Sequence, residues 1–273
     1  ALVIFMVVLY RIPGLIAAFA LLMYAIIVIG VNVAIKATIT LPVIAAFLLS
    51  VGMAVDANVI IFAGCGIHND LHKDSEHDGI HRFFLEEGAK VKYVEKHYGE
   101  GKGRGKRVLN PTTEIYMKKG STMNMDSVQI KGVDNTLRVT KAVLEEDTTL
   151  EISEKILTTG KEKAKTEFIV DLNGENASVH VTSRSVAEES SYQEFISNVT
   201  GNTKCYAHIE CDAIIKDEGK VKAIPEIYAK NIDANLIHEA AIGKIAGEQL
   251  KKLMTLGLNE KEAEEVIIKG FLK

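Results

Sequence analysis

The feature that most constrains this chain is an abrupt change in charge near residue 63. Residues 1–63 contain three charged side chains, Arg11, Lys36 and Asp56, whereas the following 210 residues contain the other 30 Lys and Arg and 35 Asp and Glu. A segment with so few charges is typical of a membrane-embedded sequence, whereas the remainder has the charge content of a water-soluble globular protein. We therefore expect two unrelated pieces, joined near Ala63.

The first piece has the pattern of membrane-spanning helices. Two apolar runs, 12–35 and 41–62, are each about 22 residues long, and at 1.5 Å per residue each would cross a hydrocarbon core of about 30 Å. The short step between them predicts a helical hairpin, and 1–10 is interpreted as the tail of an earlier helix. Arg11 predicts a cytoplasmic turn, so the chain would return to the cytoplasm near residue 63.

Asp56 is unusual in this setting because a carboxylate within an apolar helix costs about 2.5–3.5 kcal/mol on insertion scales. One interpretation is a protonatable group in an ion pathway. The other is a side chain placed shallowly enough to reach the lipid headgroups. Spacing alone leaves both open.

Two segments of this piece resemble the protein-export subunit SecD. They are Tyr-Arg-Ile-Pro-Gly-Leu-Ile-Ala at 10–17 and Gly-Met-Ala-Val-Asp-Ala-Asn-Val-Ile-Ile-Phe at 52–62. The resemblance implies that Asp56 occupies the position of an aspartate that couples proton flow to export. It stops at Phe62, where SecD proteins continue with Glu-Arg and this chain continues with Ala-Gly-Cys-Gly.

The second piece is rich in short segments of alternating polar and apolar residues, such as 90–95 and 178–181, which is the pattern of half-buried strands. Turn-like points followed by small residues recur every 25–32 residues, at Gly88-Ala89, Gly120-Ser121, Asp147-Thr148, Asn176-Ala177 and Gly201-Asn202. Such recurrence favours the stacked coils of a β-solenoid, and a β-sandwich remains the alternative.

The C-terminal end changes to helical spacing. Apolar residues from Ile242 to Met254 follow a helical period, and Gly257 suits the position just after a helix. Asn259 with Glu262 predicts a capping box that begins a final helix. We therefore expect a β-domain over 64–229 and a helical segment over 230–273.

Two groups of residues are candidates for metal chemistry. His68, His72, His77 and His81 form two His-x3-His pairs, which would share a face and bind a divalent metal if the segment were helical; solvated or structural imidazoles are the alternative. Cys205 and Cys211 lie six residues apart, with His208 and Glu210 between them. This spacing matches no permanent cluster or zinc site but suits transient binding of iron and sulfide.

The remaining motifs exclude several functions. The three cysteines are an odd number without framework spacing, which fits a reducing compartment. The glycine-rich segment 99–106 lacks the Gly-Lys-Ser/Thr ending of a phosphate loop, so it is interpreted as a flexible loop. The net charge of −5 on the second piece gives no reason to expect a nucleic acid partner.

Residues 64–273 resemble the SufB/SufD scaffold proteins of iron–sulfur cluster assembly, in the short form found in archaea and anaerobic bacteria. The segments that carry the resemblance are 66–70, 72–81, 110–114, 170–175, 210–215 and 237–245. The resemblance implies a mainly β fold, a right-handed parallel β-helix with a short C-terminal helical segment. It also implies pairing with a second SufB/SufD-type protein, and binding of the ATPase SufC through the C-terminal region.

The resemblance also assigns roles to individual residues. Cys211 matches the cysteine that receives sulfur and forms the nascent cluster, and His238 and Glu239 match the His-Glu pair of the same site. An acidic residue that precedes this pair in some SufB proteins is Ile237 here. Cys205 and His208 are close enough in sequence to assist.

Three hypotheses follow. The first is a cytoplasmic, non-enzymatic scaffold that holds a transient iron–sulfur cluster, with no permanently bound cofactor. The second is a fragment of SecD in the inner membrane, anchored by residues 1–63 and using Asp56. The third is a metal-dependent enzyme built on the four histidines. The junction itself is interpreted as a chimeric or misassembled fusion.

Overall fold

The computed structural model describes residues 58–130 and 132–273, together with four helical positions, Phe19, Leu22, Met23 and Ile26. The chain divides into two units, Ala1–Ala57 and Asn58–Lys273. Apart from those four positions, the predicted tail 1–10, the hairpin up to residue 57 and Asp56 lie outside the described residues. Within the described part of the chain, no helix has both the length and the apolar character needed to cross a membrane.

The first strand corrects one boundary. Residues 58–62, predicted as the end of the second helix, belong to strand β1, Asn58–His68. Val59, Ile60 and Ile61 are β-branched residues that favour strands, and they pair in parallel with Val91, Lys92 and Tyr93. The β-domain therefore begins at Asn58 and not at residue 64.

The described residues of the second unit contain fifteen strands. They are β1 (Asn58–His68), β2 (Ser75–His77), β3 (Ile80–Leu85), β4 (Lys90–Glu100), β5 (Arg107–Leu109), β6 (Thr112–Met117), β7 (Thr122–Ile130), β8 (Asn135–Leu144), β9 (Thr149–Thr158), β10 (Lys163–Leu172), β11 (Ser178–Ala187), β12 (Tyr192–Gly201), β13 (Tyr206–Ile215), β14 (Lys220–Ala229) and β15 (Asn235–Gly243).

The strands stack into a solenoid. One sheet, here called sheet A, has the order β1-β4-β7-β9-β11-β13-β15, and the other, sheet B, contains β2, β3, β5, β6, β8, β10, β12 and β14. Every pairing among the described strands is parallel, and paired residues in successive coils, such as Thr122, Thr149 and Ser178, lie 27–32 positions apart. The predicted β-solenoid is confirmed, and the sandwich alternative is excluded. The handedness of the coil stays a prediction.

The corners explain the recurring turns. Gly88, Gly120, Asp147 and Asn176 all have φ between 55° and 70°, as the turn positions predicted. Each donates its backbone N–H to a carbonyl in the next coil, and Asn176 donates to Lys204. The fifth predicted turn is wrong, because Gly201 ends β12 and the corner falls at Lys204.

Apolar side chains from both sheets fill the interior of the solenoid, including Tyr93, Leu150, Phe168 and Ile209. Two helices follow, α1 (Gly247–Met254) and α2 (Glu260–Phe271), and α2 has the predicted Asn259–Glu262 capping box. The C-terminal helical structure begins at Gly247. The sequence predicted a helical segment from 230 and helical spacing from Ile242, but β15 pairs with β13 and so belongs to the solenoid.

Candidate functional site

The predicted cysteine–histidine–glutamate group lies at the C-terminal end of sheet A, on strands β13 and β15. Successive residues of a strand point to opposite faces of the sheet, and residues paired in register share a face. In this register Ile209 pairs with His238, and Glu210 pairs with Glu239. Cys211 and His238 therefore face the interior of the solenoid, whereas His208 and Glu239 face outward. The structure divides the predicted group between two faces of one sheet.

Cys211 is buried in the interior, with only 1% of its surface exposed. Burial raises the pKa of its thiol to about 12, and the carboxylates of Glu154 and Asp212 add to the effect. At neutral pH this side chain is therefore a thiol.

His238 lies on the inner face of β15, the last strand of sheet A. Its Nε2 is buried and has no hydrogen-bond partner within the described part of the chain. Burial lowers the pKa of His238, with Glu239 acting in the opposite direction. A neutral imidazole with a free ring nitrogen is able to accept a proton or to ligate a metal ion.

A column of polar side chains leads through the interior to Cys211. Successive coils of sheet A place Glu95, Ser127, Glu154, Ser183 and Cys211 in one continuous register. The hydroxyl of Ser183 donates to Glu154 Oε2 at 3.0 Å, and that of Ser127 donates to Glu95 Oε2 at 3.5 Å. We call these five residues the inner column.

Arg138 of sheet B crosses the interior to the inner column. Its Nε donates to Glu154 Oε1 at 3.0 Å, its Nη1 donates to His97 Nδ1 at 2.8 Å, and its Nη2 donates to Ser127 Oγ. Arg138 and Glu154 are both almost fully buried. A buried charge of this kind is tolerated only when it is paired and hydrogen-bonded.

The inner column begins beside Cys65. Cys65 Sγ lies 3.9 Å from His81 Nε2, and His81 Nδ1 is 2.8 Å from the hydroxyl of Tyr93, which donates to Glu95. Burial alone would raise the pKa of Glu95, but His97, Arg138 and Tyr93 together lower it to about 2. Glu95 is therefore an anion at neutral pH.

The outward face of the same strands carries a second polar group. His180 Nε2 and His208 Nδ1 each lie 3.6 Å from Glu210 Oε1, and His208 Nε2 lies 3.4 Å from Glu239 Oε1. The two imidazole rings pack edge to face with centroids 4.9 Å apart. We call His180, His208, Glu210 and Glu239 the outer group.

The four early histidines do not converge. No helix connects them, since His77 lies in strand β2 and His81 in strand β3, so the shared helix face required for the predicted metal site is missing. His68 pairs with Asp70 at 2.8 Å, and His72 is exposed. His81 bonds to Tyr93, as a structural imidazole does.

Comparison with protein families identifies the family of this chain. Residues 57–271 match the model described as the SUF system FeS cluster assembly, SufBD core domain. This chain belongs to the SufBD family. The match covers the solenoid and both helices, and it agrees with the resemblance seen in the sequence.

Two curated relatives are similar to this SufBD chain. An iron–sulfur cluster assembly SufBD family protein of Methanocaldococcus jannaschii is 32% identical over 186 residues, which is 67% of this chain and 58% of the relative. One of Pyrococcus horikoshii is 28% identical over 202 residues, which is 73% of this chain and 61% of the relative. The chain thus spans about three fifths of the length of these relatives.

The SecD resemblance is also found. The chain is 51% identical over 59 residues to the protein translocase subunit SecD of Synechocystis, and 53% identical over 62 residues to that of Calditerrivibrio nitroreducens. Each match covers 22–23% of this chain and 12% of the SecD protein. One chain therefore contains a segment similar to SecD and a larger part that belongs to the SufBD family.

Sequence reasoning missed several residues of this SufBD solenoid, namely Glu95, His97, Arg138, Glu154 and His180. For two of these residues the sequence does contain a signal. Glu154 lies in phase with Leu150 and Ile152, and His97 lies in phase with Val91 and Tyr93, so strand alternation alone directs these polar side chains inward. His180 joins His208 only through the 28-residue register, which the sequence left open.

Proposed function

We propose that this SufBD-family chain is a non-enzymatic scaffold for iron–sulfur cluster assembly, with Cys211 as the sulfur acceptor. The observation that carries the proposal is the position of Cys211 at the end of the inner column, one strand from the terminal strand β15, where His238 Nε2 has no hydrogen-bond partner among the described residues. Iron and sulfide are cargo in this proposal, and no permanently bound cofactor is required.

The chemistry of the two faces suits transient binding. Cys211 must lose its proton before it can act as a nucleophile or a ligand. His238, whose Nε2 has no hydrogen-bond partner among the described residues, is the titratable side chain of β15 that shares the inward face with Cys211. On the outward face His208 offers a nitrogen ligand for iron, and Glu239 Oε1 lies 3.4 Å from its Nε2.

The proposed partners are a SufC-like ATPase and a second SufB/SufD-type chain. One support is the family to which the chain belongs. The other is the C-terminal end of the solenoid, where sheet A ends in β15 and sheet B ends in β14. Three apolar side chains are exposed there, those of Ile227, Tyr228 and Ile242. A terminal strand with an unpaired edge is able to pair with another chain. We place the SufBD part in the cytoplasm, and we expect the right-handed coil that its family resemblance implies.

Anaerobic reconstitution of the full chain with Fe²⁺ and sulfide tests the assignment. Cys211→Ser should abolish formation of the cluster chromophore while leaving the β-rich circular dichroism spectrum unchanged. Cys205→Ser is the matched control, because Cys205 is also a buried thiol of the same core but lies outside the inner column. Equal cluster yields from wild type and Cys211→Ser would overturn the proposal.

The SecD matches favour a second candidate function, proton-coupled protein export through the inner membrane. In that case Asp56 would carry the proton, and Asp56→Asn should impair secretion of a reporter in a cell-based assay. Normal secretion in cells that depend on this chain would remove this candidate. A chimeric or misassembled fusion remains our interpretation of the junction, and reading the contiguous DNA across codons 55–75 tests it.

A further inference from the structure

The outer group has the composition of a metal site. His180, His208 and Glu210 each place one donor atom within 4.8 Å of the others. Their strands are adjacent in sheet A, with His180 paired to His208 and Thr182 paired to Glu210, so two rigid strands fix their positions. Sites built on strands hold ligands more accurately than sites built on loops.

The distances match those around a single ion. Ligand atoms about 2.1 Å from a shared ion lie about 3.4 Å from one another in four-coordinate geometry and about 3.0 Å in six-coordinate geometry, given usual nitrogen and oxygen bond lengths. Glu210 Oε1 is 3.6 Å from both His180 Nε2 and His208 Nδ1. These separations are too long for hydrogen bonds and slightly longer than the ligand spacing, so the side chains would close in on an ion. His180 Nε2 also lies 3.0 Å from Thr182 Oγ1, a hydrogen bond that metal binding would replace.

The second nitrogen of His208 strengthens the assignment. His208 Nε2 is buried, lacks a hydrogen-bond partner within the described residues, and lies 3.4 Å from Glu239 Oε1. Histidines that ligate a metal through one nitrogen usually donate the other N–H to a carboxylate, which fixes the ring and its tautomer. Glu239 is placed to do this for His208, as a positioning residue and not as a direct ligand.

We propose that His180 Nε2, His208 Nδ1 and Glu210 Oε1 bind one ferrous ion on the outward face of sheet A. Two histidines and one carboxylate with open positions form the ligand set typical of non-haem Fe(II) sites. His180 is 42% exposed, so hydrated iron from solvent has access to the site. If the proposed scaffold function is correct, this is where iron enters, separated by the thickness of one sheet from the thiol of Cys211.

Anaerobic titration of the full chain with Fe²⁺ tests the site, and Co²⁺ serves as a spectroscopic probe because its visible absorption reports its ligands. Wild type should bind one ion. His180→Ala and Glu210→Gln should each lower the affinity for Fe²⁺ by more than about 100-fold, a larger loss than the 10–100-fold typical of residues that only orient a metal ligand. His77→Ala removes an exposed histidine elsewhere and should leave the affinity unchanged. Glu210→Gln keeps size and shape, so it remains informative if His180→Ala fails to fold.

Cys211→Ser separates this inference from the proposed function. It should bind Fe²⁺ with the wild-type affinity yet fail to form a cluster with sulfide. Absence of stoichiometric binding by wild type, unchanged binding by Glu210→Gln, or loss of binding in Cys211→Ser would each overturn the outer site. If wild type binds no Fe²⁺ alone but Cys211→Ser still abolishes reconstitution, the site is refuted while the scaffold function stands.

Discussion

The two faces of sheet A carry opposite chemistry at adjacent residues. Glu210 faces outward among imidazoles and solvent, whereas Cys211 faces inward at the end of a buried polar column. The outer group is accessible and rich in nitrogen and oxygen, and the interior thiol is shielded and protonated. The difference shows how one strand presents two kinds of side chain able to ligate a metal on separate faces, because alternation fixes the face and burial fixes the protonation state.

The largest expected effect concerns the reactivity of the interior thiol. A rise in pKa from 9.0 to about 12 lowers the thiolate fraction at pH 8 by about 1,000-fold. Alkylation of Cys211 by iodoacetamide in the native full chain should therefore be slower by about that factor than in urea. Cys65 is less buried and provides the internal control, read by mass spectrometry of each peptide. Similar native and unfolded rates at Cys211 would show that the interior is open.

The next effect tests the charges that support the interior face. Arg138→Met leaves Glu154 without its cationic partner, and breaking a buried ion pair costs about 3–5 kcal/mol. Urea denaturation of the full chain should show this loss in the free energy of unfolding. Arg82→Met is the matched control, since Arg82 forms a solvent-exposed pair with Glu114 and its loss should change the free energy of unfolding little. Equal losses from the two substitutions would mean that the interior pair contributes no more than a surface one.

Part of this arrangement was predictable from sequence and part was not. The coil length, four of the five turns and the final helix cap followed from Gly88, Gly120, Asp147, Asn176 and the Asn259–Glu262 pair, because these features depend on local backbone chemistry. Which residues share a face across coils depends on register.

The number of residues per coil varies, so a fixed sequence spacing does not predict which residues pair across coils. Successive coils differ by 32, 27, 29 and 28 residues at Lys90, Thr122, Thr149, Ser178 and Tyr206. The pairing of His180 with His208 was therefore not accessible from sequence. The resemblance to SufB/SufD proteins grouped Cys211 with Glu239, and the register places these two residues on opposite faces of the sheet.

Acid stability offers a further test of the interior. Glu95 has a pKa lowered from 4.5 to about 2, so its interactions favour the folded state above pH 4.5. That contribution should disappear as the pH falls from about 4.5 toward 2, because protons bind the unfolded chain more readily than the folded one. The difference in unfolding free energy between wild type and Glu95→Gln should shrink over this range. A difference that stays constant with pH would show that Glu95 is not held as an anion.

The smallest expected effect distinguishes a ligand from a positioning residue on the outer face. Glu239→Gln keeps an acceptor near His208 Nε2 but removes the charge. The affinity for Fe²⁺ should therefore fall by about 10-fold. This is the lower end of the range for residues that only orient a metal ligand, because Glu239 is 66% exposed. Glu210→Gln, on the same face, should have a much larger effect. The ligand-dependent Co²⁺ absorption should keep its shape in Glu239→Gln and lose it in Glu210→Gln. Equal losses in the two variants would make Glu239 a direct ligand, and the outer face would then hold its ion with two carboxylates instead of one.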